Sequence, residues 1–155
     1  VDILKSFEGA FLWDLYAGTG TLSLCFADIF KRILGVESNP YAVLDARENA
    51  SQHGYDHIEF EKADVIDFLK TVDTGSIADV VILDPPRSGL LESVRSLLAT
   101  IHVPVIVYIA CNVHTQINDV KFFLENGYCI KHRRLVDQFC HSYHMEHVVV
   151  LERKL

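Results

Sequence analysis

Short apolar runs alternate with amphipathic stretches along this chain. Residues 80–83 (Val-Val-Ile-Leu) are apolar throughout and closed by turn residues, which is typical of a strand buried inside a parallel sheet. Between residues 21 and 32 the apolar side chains recur at helical spacing instead. The pattern predicts strands over residues 10–16, 33–37, 57–63, 80–83, 103–111, 128–134 and 147–152. It predicts helices over residues 21–32, 40–53, 65–70, 90–100 and 115–126.

Strands that alternate with helices form a parallel sheet with helices on both faces. The last two predicted strands follow each other without a helix, so we expect them to form an antiparallel pair at one edge. The sequence therefore predicts an α/β fold with a mostly parallel, seven-stranded sheet. With 155 residues and 50% hydrophobic content, we expect a single domain over residues 1–155.

The charge balance restricts the classes of partner. Fourteen Lys and Arg residues against twenty-one Asp and Glu residues give a net charge of −7. This argues against autonomous binding of RNA or DNA, but not against a polynucleotide delivered by another domain. No apolar run reaches the roughly 20 residues of a membrane helix, and the four cysteines show no Cys-x-x-Cys spacing. We expect a monomeric, cytoplasmic protein with free thiols and no membrane contact.

The segment Asp14 to Gly20 (Asp-Leu-Tyr-Ala-Gly-Thr-Gly) joins the first predicted strand to the first helix. Gly18 and Gly20 let the chain reverse and let its backbone approach a ligand closely. Ser23 stands where a dinucleotide fingerprint has its third glycine, so the turn suits a pyrophosphate poorly. Asp14 instead suits a cation such as a sulfonium with an amino-acid tail, and we assign Tyr16 to the same ligand-binding turn.

Acidic residues also end the next two strands. Glu37 is placed to accept hydrogen bonds from ribose hydroxyls, as nicotinamide and S-adenosylmethionine enzymes both require, and Asp64 to bond an adenine amino group. The alternative is a purely structural turn with incidental acids. Acids at the ends of three successive strands favour the cofactor interpretation.

Asp84-Pro85-Pro86-Arg87 closes the apolar run 80–83 and leaves a carboxylate at the carboxyl end of a buried strand. Open α/β sheets bind their ligands at that end, although a strand stop with a solvated Asp is the simpler alternative. The stretch resembles the fourth-strand motif of S-adenosylmethionine-dependent methyltransferases that modify bases. In the amino-group methyltransferases the last position is normally aromatic, so Arg87 points away from that chemistry.

Two further segments complete a family pattern: Ala110-Cys111-Asn112, and residues 139–146 (Phe-Cys-His-Ser-Tyr-His-Met-Glu). Together with the glycine turn and Asp-Pro-Pro-Arg they resemble the RNA uridine-5-methyltransferase family, which makes 5-methyluridine in transfer and ribosomal RNA. The resemblance covers nearly the whole chain and only that family's catalytic domain. It implies a Rossmann-like S-adenosylmethionine-dependent methyltransferase fold. The chain departs from the family pattern at Ala17, Leu22, Val113 and Cys140, where the family usually has Cys, Phe, Pro and Pro.

The resemblance also implies residue roles. Carbon 5 of uracil is a poor nucleophile, so Cys111 would add to carbon 6 to activate it, and Glu146 would remove the proton from carbon 5. Asp84 would lie beside the pyrimidine, the thiol and the cofactor. Arg87 would contact a phosphate or the base, and His144 would orient Glu146 at the substrate.

The histidines of the C-terminal segment, His141, His144 and His147, raise the question of a metal. No three-ligand constellation with supporting partners can be read from their spacing. We therefore predict no metal site and favour capping or strand-surface roles for these side chains.

Two other functions fit parts of the pattern. Cytosine-5 RNA methyltransferases also attack carbon 6 with a cysteine, but neither Cys111 nor Cys140 follows a proline. A catalytically silent cofactor-binding module is the alternative outside enzymes, and the presence of Cys111 and Glu146 speaks against it. The chain begins at Val1, so we expect a fragment of a longer protein. Family members commonly carry an N-terminal RNA-binding barrel, and we expect binding of the tRNA or rRNA substrate to need such a domain.

Overall fold

The computed structural model describes residues 2–137 and 145–154. Its strands are β1 (Phe11–Leu15), β2 (Arg32–Glu37), β3 (Ile58–Lys62), β4 (Val80–Leu83), β5 (Val105–Ala110), β6 (Tyr128–Val136) and β7 (Glu146–Arg153). Its helices are α1 (Thr21–Cys25), α2 (Pro40–Gln52), α3 (Val65–Thr71), α4 (Glu92–Thr100) and α5 (Val113–Glu125). Asp2–Phe7 and Thr74–Ser76 form 3₁₀ helices.

The seven strands form one sheet in the order β3-β2-β1-β4-β5-β7-β6. Strands β1 to β5 are parallel, and β7 is antiparallel to both of its neighbours. The predicted mostly parallel, seven-stranded α/β fold is thus confirmed. The antiparallel strand β7 inserts between β5 and β6, so the edge strand β6 runs in the same direction as β5. The strand order reverses between β1 and β4, which leaves a crevice at the carboxyl ends of these strands.

An apolar core fills each face of the sheet. Trp13, Tyr108 and Phe123 are buried on the face covered by α3, α4 and α5. Phe30, Ile33 and Val43 are buried on the opposite face, against α1 and α2. All four residues of β4 are buried. This two-sided burial explains why the central strands are apolar throughout.

Helix α1 is shorter than the pattern predicted, since it ends at Cys25 rather than at residue 32. After Cys25 the chain continues in turns, with the Ala27 amide donating to the Leu24 carbonyl at 3.2 Å. The Ile29 carbonyl then accepts from the Gly9 amide at 3.0 Å. Apolar spacing alone cannot show that this segment bonds back to the residues before β1. Within the described ranges, no helix has both the length and the apolar character to cross a bilayer.

Candidate active site

The carboxyl ends of β1 and β4 project two predicted carboxylates from one face of the sheet. Asp14 pairs with Ile82 across the parallel ladder. Asp84 lies two residues beyond Ile82, and side chains alternate between faces along a strand. Asp14 and Asp84 therefore share a face, in agreement with the electrostatic effect of the Asp84 carboxylate on Asp14.

The same face receives the predicted nucleophile and the predicted base. In β5 and β7 the last pair of the antiparallel ladder joins Ala110 to His147. Continuing this register by one residue sets Cys111 opposite Glu146, where side chains of antiparallel strands lie about 5 Å apart at Cβ. The structure thus brings these two positions together, although they are 35 residues apart in the sequence.

Asp14 is fully buried beneath the glycine turn. Its Oδ2 accepts hydrogen bonds from the Ser23 hydroxyl at 2.7 Å and from the Ser23 amide at 3.1 Å. Its Oδ1 is buried without a hydrogen-bond partner in the described part of the chain. Burial raises the pKa of Asp14 to about 6, although the bonds from Ser23 oppose that shift. A buried carboxylate oxygen with unused acceptor capacity is suited to a cationic ligand.

The glycine turn has the left-handed backbone that its sequence predicts. Gly18 and Gly20 have φ values of 55° and 81°, and Tyr16 reaches φ 68° without being a glycine. A Cβ atom on Gly20 would lie 2.6 Å from the Phe60 ring, so a larger residue is excluded there. The half-buried Tyr16 has a pKa raised to about 12, first by burial and then by Asp64 and Asp119. The turn is therefore packed against the core at Gly20, while at Gly18 nothing lies within 4 Å of a Cβ position and the backbone is open.

The other two predicted cofactor carboxylates are already engaged with the backbone. Glu37 accepts from the Gly18 amide at 3.0 Å through Oε2 and from the Asn39 amide at 2.8 Å through Oε1. Asp64 caps α3 by accepting from the Ile66 amide at 2.9 Å. Each carboxylate oxygen has two lone pairs, so both groups keep acceptor capacity for a ribose or an amino group. Their visible role is to hold the glycine turn and the start of α3.

The loop that carries Asp84 and Arg87 is tied to the residues after Cys111. The Arg87 carbonyl accepts from Asn112 Nδ2 at 3.1 Å and from Thr115 Oγ1 at 3.2 Å. Asn112 also caps α5, since its side chain accepts from the His114 amide at 3.1 Å. The sequence interpretation assigned no role to Asn112 or Thr115, although Asn directly before a helix is a recognisable capping signal.

Asp84, Arg87 and Glu146 form one electrostatic cluster. The pKa of the half-buried Glu146 is raised by burial and then by the Asp84 carboxylate, while Arg87 lowers it. The pKa of Asp84 is also raised, because the surrounding protein removes part of the water around its carboxylate even though the residue as a whole is exposed. A carboxylate with a raised pKa is a stronger base, so this environment suits Glu146 to accept a proton.

Gln116 fixes the start of β7 from helix α5. Its side-chain amide donates to the Tyr108 carbonyl at 2.9 Å and to the His147 carbonyl at 3.1 Å. The Gln116 carbonyl oxygen is bonded to Nδ1 of His147. Burial and then Arg133 lower the pKa of His147. The hydrogen bonds give His147 a structural role beside Glu146.

Three of the sequence predictions fall on residues 138–144, outside the described residues: those for Cys140, His141 and His144. In the described ranges no three His, Cys, Asp or Glu side chains come together as metal ligands. Cys111 and Cys129 are half-buried, and Cys25 is exposed. Of the remaining predicted site residues, Glu146 begins the antiparallel strand β7, and the others lie at the carboxyl ends of the parallel strands or in the segments that follow them.

Comparisons with known proteins place this arrangement in a family. Curated relatives include an uncharacterized RNA methyltransferase of Chlamydia pneumoniae, 37% identical over 93% of this chain and 36% of the relative. Another, from Clostridium tetani, is 37% identical over 99% of this chain and 33% of the relative. The chain thus spans about a third of the length of these relatives.

A solved structure shows the same architecture. It is the Pyrococcus abyssi tRNA (uracil-54, C5)-methyltransferase in complex with S-adenosyl-L-homocysteine, which superposes with a TM-score of 0.82 at 33% identity. The match covers 97% of this chain and 36% of that one. The predicted Rossmann-like methyltransferase fold is confirmed, and the predictions of S-adenosylmethionine and of an RNA-methylating enzyme agree with these comparisons. The family model for tRNA (uracil-5-)-methyltransferases matches residues 1–154, and the chain belongs to that family.

Proposed function

We propose that this chain is the catalytic part of an enzyme that methylates carbon 5 of a uridine in tRNA or rRNA through a covalent cysteine adduct. The observation that carries the proposal is the register of β5 and β7: its last pair joins Ala110 to His147, so the next residues along the two chains are Cys111 and Glu146. Asp84 and Arg87 act electrostatically on Glu146 and complete the cluster. A nucleophile and a base on one face of a pyrimidine are the two groups that substitution at carbon 5 requires.

The residues around the glycine turn fit S-adenosylmethionine. The Oδ1 of Asp14, which has no hydrogen-bond partner among the described residues, suits the cationic end of that cofactor. The open space at Gly18, where nothing lies within 4 Å of a Cβ position, lets the cofactor approach the backbone. Glu37 and Asp64 keep lone pairs for the ribose hydroxyls and the adenine amino group. When bound there, S-adenosylmethionine supplies an electrophilic methyl group to carbon 5.

The protein residues perform the remaining steps. The Cys111 thiolate forms a bond to carbon 6 of the uracil, and the electron pair of the 5,6 double bond moves to make carbon 5 nucleophilic. After carbon 5 has been methylated, Glu146 takes its proton. The electron pair of that C–H bond restores the double bond and expels the Cys111 thiolate. A flipped-out uridine is needed, because these groups cannot reach a stacked base.

RNA containing 5-fluorouridine tests the proposal directly. Fluorine replaces the proton that Glu146 must remove, so we expect the full-length protein to form a stable adduct between Cys111 and methylated RNA. Denaturing gels detect the adduct, and peptide mass spectrometry locates it. With ordinary uridine, Glu146→Gln is expected to accumulate the same adduct because release of the cysteine is slowed.

Glu152→Gln is the matched control for that variant, since Glu152 lies near the other end of β7 and pairs with Lys131 at 3.4 Å. It should release product as the wild type does. An adduct on another cysteine, or none in a protein that binds cofactor and RNA, would refute the covalent role of Cys111. The absence of any adduct would favour the catalytically silent module. An adduct with cytidine RNA alone would favour cytosine-5 methylation.

Asp14→Asn is expected to affect stability and cofactor binding in opposite directions. Because the pKa of Asp14 is raised to about 6, its ionisation opposes folding. This cost is absent below the ordinary pKa of 3.8, grows between pH 3.8 and about 6, and is fully present at pH 7.5. At pH 7.5 the variant should be more stable by up to about 3 kcal/mol. It should bind S-adenosylmethionine roughly 10- to 100-fold more weakly, because a charge-assisted contact is lost.

Urea unfolding from pH 4.5 to 7.5 and calorimetric titration measure the two effects. Asp67→Asn is the control, because Asp67 is exposed and forms only a surface ion pair with Lys70. Asp67→Asn should change neither the free energy of unfolding nor the affinity for S-adenosylmethionine. If Asp14→Asn bound the cofactor as tightly as the wild type, Asp14 would have only a structural role.

A further inference from the structure

We infer that the basic stretch of β6, residues Lys131 to Arg134, binds phosphate groups of the RNA whose uridine is methylated. The inference rests on the proposed function, and it assigns part of the RNA contact to this chain. The four residues read Lys-His-Arg-Arg, and Lys131, Arg133 and Arg134 are exposed. Lys and Arg side chains that neutralise phosphates supply most of the sequence-independent affinity for nucleic acids.

The overall charge of −7 conceals a strong asymmetry between the halves of the chain. Of the twenty-one acidic and fourteen basic residues, fourteen acidic and six basic ones lie in residues 1–79. The remaining seven acidic and eight basic residues lie in residues 80–155. The half that supplies the glycine turn therefore repels a polyanion. The half that supplies Cys111 and Glu146 does not, so RNA is expected to approach over β5, β7 and β6.

Strand β6 leads to the active site from the edge of the sheet. Arg134 pairs with Val148 and Val136 pairs with Glu146, so Arg134 lies two residues from the level of Glu146 along the ladder. At about 3.3 Å per residue this is roughly 7 Å along the strand. Arg133 is near enough to His147, the neighbour of Glu146, to lower its pKa. A strand of RNA that places a uridine at Cys111 can thus reach Arg134, which shares a face of the sheet with Glu146, with an adjacent phosphate. Arg133 projects from the opposite face of the same exposed edge strand, where a further phosphate of the RNA can meet it.

Basic side chains on an edge strand also have a simpler explanation, because charges there prevent edge-to-edge aggregation. Two observations favour phosphate binding. The charges of β6 all have one sign in a chain that is acidic overall. Lys131 is paired with Glu152 at 3.4 Å, but among the described residues neither Arg133 nor Arg134 forms an ion pair. Two guanidinium groups on the active-site half of the strand therefore have their donors free for phosphate oxygens, which they bind in a bidentate manner.

The double variant Arg133→Ala/Arg134→Ala of the full-length protein tests the inference, with a tRNA transcript as the probe. We expect RNA affinity to fall at least about 10-fold near 0.1 M salt, and the slope of log affinity against log salt to decrease by about 2. The KM for RNA should rise while kcat at saturating RNA and the affinity for S-adenosylmethionine stay unchanged. Arg133→Lys/Arg134→Lys should recover most of the affinity, because the charges return.

The control is Lys62→Ala/Lys70→Ala, which removes two exposed positive charges near β3, the opposite edge strand of the sheet. Lys62 is the last residue of β3, and Lys70 lies in the following helix, α3. Its salt slope should match that of the wild type. An unchanged slope in the arginine variant, or an equal loss in the lysine control, would overturn the inference. Aggregation of the arginine variant with unchanged RNA affinity would show that the charges only protect the edge. The adduct with 5-fluorouridine RNA separates the two proposals, since wild-type protein that binds RNA through β6 but forms no adduct would refute only the proposed chemistry.

Discussion

Replacing Cys111 by alanine is expected to lower the rate of methyl transfer by at least about 10³-fold while the affinity for S-adenosylmethionine stays near that of the wild type. Loss of a covalent nucleophile removes the step that makes carbon 5 reactive, and no neighbouring group can replace it. Asp14 and Gly18, the residues predicted to bind the cofactor, lie on and after β1, two strands away from β5. Single-turnover methylation of a tRNA transcript measures the first quantity, and calorimetric titration measures the second.

The fold itself should tolerate this change. Cys111 is half-buried and follows the last residue of β5, and the backbone there is held by the Asn112 cap and its bond to the Arg87 carbonyl. Removing one sulfur atom from such a position should cost less than about 1 kcal/mol of folding free energy. Cys129→Ala is the matched control, because Cys129 is also half-buried but lies on β6, near the opposite end of the sheet. Retained turnover in Cys111→Ala, or equal loss in Cys129→Ala, would contradict the assignment.

The sequence predicted the sheet well because its strands are buried on both faces. Two-sided burial leaves continuous apolar runs, and β4 shows this in its simplest form. The position of β7 was harder to predict, since an antiparallel closing pair gives the same pattern whether β6 or β7 adjoins β5. The end of α1 was predicted wrongly because the segment after Cys25 bonds to Gly9 and Ala10, and apolar periodicity does not report such bonds.

The candidate site was predictable as far as it follows from strand ends. Asp14, Glu37 and Asp84 could be located because parallel strands bring their carboxyl ends to one edge. What each carboxylate contacts could not be predicted. Glu37 holds the Gly18 amide and Asp64 caps α3, and both facts depend on side-chain geometry. The roles of these residues in cofactor binding, like those of Cys111 and Glu146 in catalysis, stay predictions.

A buried polar network between the active-site loop and α5 is a part of the molecule that the sequence did not reveal. Asp119 has only 2% of its surface exposed and was hidden within the helical pattern of residues 115–126. It accepts from Tyr108 Oη at 2.6 Å and the Leu90 amide at 2.9 Å, and it pairs with Arg95 at 2.7 Å. Its partners lie 11, 29 and 24 residues away in the chain, so only the tertiary structure shows them together.

Asp119→Ala is therefore expected to destabilise the protein by about 3–5 kcal/mol, because it leaves the half-buried Arg95 charge and the buried Leu90 amide without their partner. For a protein of this size the melting temperature should fall by roughly 10 °C. Asp67→Ala is the control, since its carboxylate forms an exposed ion pair with Lys70 and should contribute less than about 1 kcal/mol. Thermal and urea unfolding measure both variants.

Asp119→Asn separates the charge of this residue from its hydrogen bonds. The amide oxygen can still accept from Tyr108 or Leu90, but the ion pair with Arg95 is lost, so the cost should lie between those of the wild type and the alanine variant. Leu90 follows directly on the loop that carries Asp84 and Arg87, and a Cβ on Gly89 would lie 2.9 Å from Asp119. The network around Asp119 thus fixes the end of that loop, and the hydrogen bonds from Asn112 and Thr115 to the Arg87 carbonyl fix its middle. If Asp119→Ala were as stable as the control, Arg95 and Leu90 would have found other partners, and the loop would not depend on this carboxylate.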